Sequence, residues 1–367
     1  IEPFSECLSQ CEENCEEECD SNIYNPNREA FLEFDFIHDD YVNSTQADGL
    51  VVYGELNIQT PRYRLWDETN DFSTELSAPT VSGDIKWVVT KGNHERDEII
   101  VGTEDGANTI DVQIYDGTWG NALELTTGIS NSAYRTFDIA VEDISGDVLI
   151  VYEGSNAADQ LIYYRIWNGS AYSTEQTLTT QLTASEVNWI TLTKKTGADD
   201  IMLLAHNSET DGSGDLYAIP WNGTAFDSVK QQIISTATIN SITPHFAFAW
   251  EESSKGGLVG YGSGNNLAYK TYSNTAPYWS TEATIALGAN LKTTRLCSDP
   301  TSNYIGIIVQ DSEKDVNVRI WDGTSILASP PSEDDRTEAA GTNNANSDCV
   351  WYNSTHALFG FFDNVDK

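Results

Sequence analysis

Positive charge and long apolar stretches are both scarce in this sequence. The 367 residues include 19 Lys and Arg against 57 Asp and Glu, which gives a formal net charge of -38. Such a surface repels phosphates, so the composition argues against a nucleic-acid partner. No segment approaches the roughly 18 to 20 unbroken apolar residues of a membrane span. We therefore expect no span in this chain.

Aromatic residues, in contrast, are abundant. The chain has 10 Trp, 17 Tyr and 12 Phe, enough large apolar side chains for a sizeable core. It begins with Ile1 rather than Met, which we interpret as a processed and secreted chain. An acidic, well-hydrated surface suits such surroundings. We expect the protein outside the cell or at the cell surface.

A unit of about fifty residues repeats along most of the chain. Its most recognisable part is an apolar strand that ends in an aromatic residue and a turn. The aromatic residues are spaced 49 to 54 residues apart, at Trp66, Tyr115, Trp167, Trp221, Tyr272 and Trp321. In the third unit, strands are predicted at Glu186–Thr193, Ile201–Ala205 and Leu216–Trp221 and near Phe226–Ile233. Four strands in a unit of this size are typical of one β-propeller blade.

The second strand of the unit recurs seven times. The copies are Leu50–Gly54, Ile99–Thr103, Val148–Tyr152, Ile201–Ala205, Leu258–Gly262, Ile305–Val309 and Ala357–Phe361. The sequence therefore predicts an all-β, seven-bladed propeller over residues 21–367. Residues 21–26 are a candidate closing strand, because an open edge would leave backbone groups unpaired. The alternative is a six-bladed ring with the seventh strand pair packed elsewhere or exchanged with a neighbouring subunit.

The first twenty residues differ from the repeat. Their four cysteines, each four residues from the next, are Cys7, Cys11, Cys15 and Cys19, set among acidic residues. In a helix this spacing places the four sulfurs on one stripe. We predict a Cys-rich helical segment over 1–20 that forms disulfides with another subunit or another helix. Disulfides within the segment are an alternative, and a zinc or iron-sulfur site is a weaker one.

The other two cysteines occupy equivalent positions in the repeat. Cys297 and Cys349 each lie eight residues before the buried strand that follows. We predict a disulfide between the sixth and seventh blades, the alternative being two free buried thiols.

Several loop residues are candidate modification or metal sites. The Asn-x-Ser/Thr pattern predicts glycan acceptors at Asn43, Asn168, Asn222 and Asn353, although turn chemistry also selects Asn-Gly. Acidic loops supply oxygen ligands of the kind that Ca²⁺ prefers, at Asp211, Asp215, Asp311 and Asp315. None has the full spacing of a known calcium loop, so solvated turns are the favoured interpretation. We expect no other cofactor.

Catalytic motifs are lacking. Each of the five histidines falls in a different unit, and none lies in a Ser-His-Asp or His-Glu-x-x-His context; they are His38, His94, His206, His245 and His356. A glycosidase-like pair of carboxylates on the central face stays an alternative. We predict no catalytic residues and no enzyme.

Residues 30–367 resemble the secreted propellers with Trp-Asp/Asn-Gly repeats found in large microbial and archaeal surface proteins. The segments Ile166–Tyr172 and Ile320–Thr324 carry this likeness. More loosely, the unit resembles the blades of fucose-binding propeller lectins, which place Arg, Glu and aromatic residues between blades to hold a sugar. Here the arginines between units are few and irregularly spaced. Arg135 and Arg295 are the nearest in position to the sugar-binding arginines of those lectins.

From these features we predict a structural or adhesive component of a surface assembly such as a filament, sheath or surface layer. The Cys stripe, the acidity and the glycosylation patterns favour this function. Its partners would be further copies or another surface subunit, joined through the Cys-rich segment. A glycan-binding lectin and a glycoside-processing enzyme are the alternatives.

Overall fold

The computed structural model describes residues 34–36, 49–55, 57–67, 71–129, 132–154, 161–178, 187–207, 214–235, 237, 245–313, 315–327, 347–353 and 356–361. All regular elements in these ranges are β-strands. A helix able to cross a membrane is not found in them. The predicted all-β class is confirmed. The Cys-rich segment 1–20 and the candidate closing strand 21–26 lie outside the described residues.

The described strands form seven antiparallel sheets that follow one another along the chain. Sheet 1 contains β1 (Phe34–Phe36), β2 (Gly49–Tyr53), β3 (Arg62–Asp67), β4 (Asp71–Phe72) and β5 (Leu76–Ser77). Sheet 2 contains β6 (Ile85–Asn93), β7 (Glu98–Asp105), β8 (Ile110–Tyr115) and β9 (Trp119–Thr126). Sheet 3 contains β10 (Phe137–Val141), β11 (Val148–Glu153), β12 (Ile162–Trp167) and β13 (Gln176–Thr177).

The later sheets have the same order. Sheet 4 contains β14 (Val187–Lys194), β15 (Asp200–Asn207), β16 (Leu216–Asn222) and β17 (Gln232–Ile234). Sheet 5 contains β18 (Phe246–Trp250), β19 (Gly257–Ser263), β20 (Asn266–Tyr272) and β21 (Ala283–Ala286). Sheet 6 contains β22 (Leu291–Ser298), β23 (Ile305–Asp311) and β24 (Val316–Trp321), and sheet 7 contains β25 (Ser347–Asn353) and β26 (His356–Phe361).

The first strands of successive sheets contact one another. These contacts run from β1 to β6 and on through β10, β14, β18, β22 and β25. Within sheets 1 to 6 the second and third strands follow the first in simple meander order, and in sheet 7 β26 follows β25, so that the sheets extend outward from a shared centre. This is the architecture of a β-propeller, in which every sheet is a blade. The four-strand unit predicted from the sequence is confirmed in sheets 2 to 5.

The core lies between neighbouring sheets. Between sheets 3 and 4, for example, Leu149, Val151, Ile190, Ile219 and Trp221 form one buried cluster. Strand β11 is buried over its whole length, as are the second strands β7 and β23 of sheets 2 and 6. Both faces of such a strand touch neighbouring blades, which explains its unbroken apolar sequence.

The repeated aromatic residue at the end of the third strand joins its sheet to the preceding one. In three sheets this residue is a tryptophan whose indole nitrogen donates a hydrogen bond to a glutamate there, which is buried for Glu98 and Glu142 and half-buried for Glu251. The three pairs are Trp167 with Glu98 at 3.1 Å, Trp221 with Glu142 at 2.6 Å and Trp321 with Glu251 at 2.8 Å. These bonds satisfy both a buried donor and a carboxylate. Packing between blades therefore accounts for this part of the repeat.

The Asn/Asp-Gly that follows is a side-chain-stabilised turn. The Oδ1 atom of Asn168 accepts hydrogen bonds from the Ser170 amide at 3.0 Å and hydroxyl at 2.8 Å and from the Ala171 amide at 2.9 Å. Gly169 has a φ of 83°, in the left-handed region that favours glycine. The same arrangement recurs at Asn222 and Asp322.

Candidate functional site

A tyrosine, a cation and a glutamate meet on the face of sheet 3 that is turned toward sheet 2. The Tyr152 hydroxyl donates to Oε2 of Glu175 at 2.7 Å. Arg165 Nε donates to the Tyr152 hydroxyl at 3.3 Å, and one of its terminal nitrogens lies 3.8 Å from the Glu175 carboxylate. A second terminal nitrogen donates to the Ser173 carbonyl at 2.9 Å. We call this group of Tyr, Arg or Lys, and Glu a triad.

Sheet 1 carries a second triad. The Tyr53 hydroxyl donates to Oε2 of Glu75 at 2.5 Å and also bonds to Arg64. Arg64 reaches the Ser73 carbonyl at 3.5 Å. Arg62 adds a further cation, with its Nε 3.8 Å from the Glu75 carboxylate.

Sheet 5 carries the third triad, with lysine in place of arginine. The Tyr261 hydroxyl donates to Oε2 of Glu282 at 2.5 Å, and Lys270 Nζ donates to the Ser280 carbonyl at 3.4 Å. The cation pairs with Val259, as Arg165 pairs with Ile150 in sheet 3. The three cations therefore occupy one position of the blade.

Each triad glutamate ends a repeated tetrapeptide, aromatic-Ser-Thr-Glu. The copies are Phe72–Glu75, Tyr172–Glu175 and Trp279–Glu282. The serine hydroxyl of each accepts a hydrogen bond from a third-strand amide, that of Leu65 at 3.0 Å, Ile166 at 3.0 Å or Thr271 at 2.9 Å. This bond fixes the outer segment against the third strand, so the glutamate is held beside the tyrosine and the cation.

The sheets between them lack the triad. Positions equivalent to the tyrosine and the cation are Thr103 and Gln113 in sheet 2, Ala205 and Ile219 in sheet 4, and Val309 and Arg319 in sheet 6. The same three sheets share a register shift in their first strands β6, β14 and β22. The structural repeat is thus a pair of sheets, and triads occur on every second sheet.

The three side chains of a triad differ in their exposure to solvent. Tyr152 is fully buried, whereas the side chain of Glu175 is 39% exposed and that of Arg165 is 24% exposed. Burial and the Glu75 carboxylate raise the pKa of Tyr53 to about 12, and burial and Glu175 likewise raise the pKa of Tyr152. The phenols therefore stay protonated and donate at neutral pH. The partly exposed side chains of the triad in sheet 3 are thus a hydrogen-bond acceptor, the Glu175 carboxylate, and a cationic donor, Arg165.

In sheets 3 and 5, the first residue of the tetrapeptide donates a hydrogen bond to the preceding sheet. The Tyr172 hydroxyl donates to the Asn121 carbonyl of sheet 2 at 2.8 Å. The Trp279 indole donates to the Lys230 carbonyl, which follows β16 of sheet 4, at 2.7 Å. The triads of sheets 3 and 5 are thus each flanked by an aromatic side chain that spans two sheets.

The predicted disulfide between Cys297 and Cys349 is confirmed. It joins β22 of sheet 6 to β25 of sheet 7, with Cα atoms 5.9 Å apart. Cys7, Cys11, Cys15 and Cys19 lie outside the described residues.

The arginines singled out from the sequence take another position. Arg135 and Arg295 were expected nearest to a sugar site between blades, but both line a cavity on the axis. They belong to first strands or directly precede them, and these strands face the centre of the ring. The cations of the triads are Arg64, Arg165 and Lys270. The tetrapeptide, recurring 100 and 107 residues apart, is the sequence signal that would have located them.

Three predicted glycan acceptors fall on exposed positions, Asn168, Asn222 and Asn353. Asn43 lies outside the described residues. In the turns of Asn168 and Asn222 the Oδ1 atom is engaged by hydrogen bonds. Because Asp322 forms the same turn, the backbone geometry alone explains why these residues follow the strand. Glycosylation at these positions stays a prediction.

The candidate calcium ligands have roles in turns. Asp311 Oδ1 accepts the amides of Glu313 at 3.0 Å and Asp315 at 3.1 Å. The Asp215 amide donates to Asn207 Oδ1 at 2.7 Å. Over the described residues, no group of three or more acidic, His or Cys side chains is placed to hold a metal. Asp211 lies outside them.

The histidines are dispersed. His206 and His245 are buried between sheets 4 and 5, and His94 and His356 lie at the surface, where His356 Nδ1 is 3.0 Å from Asn353 Oδ1. His38 lies outside the described residues.

Several solved structures are similar to this chain. The BP39L lectin from Burkholderia pseudomallei is 8% identical, with a TM-score of 0.51, and the match covers 77% of this chain and 80% of that one. The lectin of Aleuria aurantia, described as a six-bladed β-propeller, is 15% identical over 78% of this chain and 93% of that one, with a TM-score of 0.42. A post-proline cleaving enzyme from Rickettsia typhi is 14% identical over 87% of this chain and 46% of that one, with a TM-score of 0.44. At these identities the likeness extends to the fold alone. No family model and no curated protein matches the chain.

Proposed function

We propose that this protein binds neutral glycans in its triad clefts and does not catalyse a reaction. The observation that carries the proposal is a polar arrangement that recurs on three alternate sheets, in which the tyrosine donates to the glutamate and the cation donates to the serine carbonyl. Stability does not require it, because sheets 2, 4 and 6 form without it. This lectin function, an alternative in the sequence analysis, takes the place of the structural role predicted first.

The chemistry of a triad suits vicinal sugar hydroxyls. A carboxylate accepts hydrogen bonds from two hydroxyls, and a guanidinium donates in a fixed fork. Glu175 and Arg165 present these groups to solvent, and Tyr152 holds the carboxylate from below at 2.7 Å. Aromatic side chains such as Tyr172 supply a flat apolar surface for the C–H face of a sugar ring.

Calorimetric titration with monosaccharide glycosides, a fucoside among them, tests the proposal. We expect up to three sites, and Glu175→Gln to lose one through at least about a tenfold loss of affinity, since charged hydrogen bonds contribute roughly 1.5–3 kcal/mol. The control is Glu313→Gln, an exposed turn residue outside the triads. Absence of binding to any glycoside, or equal stoichiometry in Glu175→Gln and the native protein, would overturn the proposal.

We further propose a ring of seven blades, with residues 21–26 completing sheet 7. Sheet 7 has two described strands, and its face away from sheet 6 exposes Val350 by 56% and Leu358 by 64%. An added strand would pair with the backbone groups at the outer edge of β26. Limited proteolysis of the native chain tests this, because a paired segment resists cleavage between residues 21 and 26 and an unpaired one does not.

Secretion, and assembly through the Cys-rich segment, stay proposals as well. The disulfide between Cys297 and Cys349 supports an oxidising compartment. A denaturing gel with and without reductant tests covalent assembly. Multimers that collapse on reduction would support it, and a monomer under both conditions would exclude it.

A further inference from the structure

The first strands of sheets 2 to 7 enclose a cavity of about 610 Å³ on the axis of the ring. Its wall includes residues from β6, β10, β14, β18, β22 and β25. The volume lies within the range of small-molecule sites, roughly 300–1,000 Å³. The triads lie between blades and do not line this cavity.

Cations are concentrated here. The chain has 19 Lys and Arg in 367 residues, and three of them, Lys91, Arg135 and Arg295, line the cavity. The strand registers place Arg295 at the same height along the axis as Asp138, because their partners Ile308 and Val151 are equivalent. The cationic side chains thus face one shared space.

The two carboxylates of the cavity wall accept hydrogen bonds from backbone amides. Both oxygens of Asp138 accept amide hydrogen bonds, from Ile139 at 2.8 Å and from Leu192 at 2.7 Å. Asp348 accepts the Cys349 amide at 2.8 Å. These acids hold first strands in place, and three cations against two carboxylates give the wall a formal charge of +1 in an otherwise acidic protein.

Arg135 is held in a defined orientation. Its guanidinium carbon lies 4.9 Å from the ring centroid of Trp189, and one terminal nitrogen lies 3.3 Å from the Ile190 carbonyl and 3.4 Å from Asp138 Oδ2. The Trp189 indole nitrogen is buried and has no hydrogen-bond partner among the described residues. Burial raises the pKa of nearby Glu104 well above its usual range, and the Arg135 guanidinium is among the groups that lower it in part.

We infer that the axial cavity binds a small organic carboxylate with an apolar face. The guanidinium and ammonium groups would pair with the carboxylate, and Phe246, Phe248 and Trp189 would contact the apolar face. This site is independent of the triads, both in its residues and in the charge of its ligand.

Titration with benzoate and glucuronate, each against its neutral analogue benzyl alcohol or glucose, tests the inference. We expect one site per chain for at least one carboxylate and at least about tenfold weaker binding of its analogue. Arg295→Gln should weaken the carboxylate at least about tenfold, whereas Lys255→Gln, an exposed turn residue, should not.

Two results would overturn the inference. One is no saturable binding of either carboxylate, and the other is equal binding in Arg295→Gln and the native protein. Arg165→Gln separates this site from the triads, because it should remove glycoside binding from one cleft and leave the carboxylate titration unchanged. A carboxylate titration lost in Arg165→Gln but kept in Arg295→Gln would assign the anion to a triad.

Discussion

Replacing Trp221 by phenylalanine tests the interblade bond described above. Trp221 is fully buried, and its indole donates to Glu142 at 2.6 Å. Phenylalanine keeps most of the ring but removes the donor. A hydrogen bond to a charged group contributes about 1.5–3 kcal/mol, and the volume removed costs about 1 kcal/mol more. We expect Trp221→Phe to lower the free energy of unfolding by about 3 kcal/mol.

The protonation state of Glu142 adds a pH signature. Burial raises the pKa of this carboxyl, whereas its hydrogen bonds from Ser145 and Trp221 lower it. Without the indole the native-state pKa rises further, so the folded variant takes up a proton at higher pH than the folded parent. A hydrogen bond from the indole stabilises a neutral carboxyl less than it stabilises a carboxylate. The deficit of the variant should therefore be smaller at pH 4 than at pH 8.

A double-mutant cycle with Glu142→Met separates the hydrogen bond from the lost volume. Urea unfolding followed by circular dichroism gives the four free energies. We expect a coupling of about 1.5–3 kcal/mol between the two positions. A coupling below about 0.5 kcal/mol, or a deficit independent of pH, would refute the assignment of a structural role to this bond.

Three further predictions concern the disulfide, a buried histidine and a turn. Replacing Cys297 and Cys349 together by serine should cost about 4 kcal/mol, since the bridge closes a sequence separation of 52; an unchanged urea midpoint would contradict this. Burial, and secondarily His245, lower the pKa of His206 to about 4. An NMR titration should therefore show the midpoint of His206 near pH 4. Its contribution to the free energy of unfolding should be complete above pH 6.5 and should fall as the pH drops toward 4. Asn168→Asp should keep the turn but remove any glycan from the intact mass, whereas Asn168→Ala should also lose about 1 kcal/mol.

The strand pattern could be predicted because it depends on local signals. The buried strand expected at Ile201–Ala205 is the centre of β15, Asp200–Asn207. Apolar runs and Asn-Gly turns report burial and chain reversal within a few residues. The disulfide followed from the same repeat, since Cys297 and Cys349 occupy neighbouring first strands.

The triads could not be derived in this way. Arg165 and Glu175 meet only because the outer segment folds back along β12, where Tyr164 pairs with Gln176. The repeat that is visible in the sequence has a period of one unit, whereas the triads have a period of two. Arg135 was placed between blades because sequence spacing does not distinguish the edge of a first strand from its faces.

The two-sheet period has a consequence for ring closure. Units that alternate in kind fit without interruption only into a ring with an even number of members. If seven sheets close, sheets 7 and 1, both odd in the order, become neighbours, and the alternation breaks at that seam. Sheet 7 already exposes Val350 and Leu358 there. In such a ring the phase defect would lie between sheets 7 and 1, and this seam would be the point at which the ring opens, admits a partner strand or exchanges a blade with another copy.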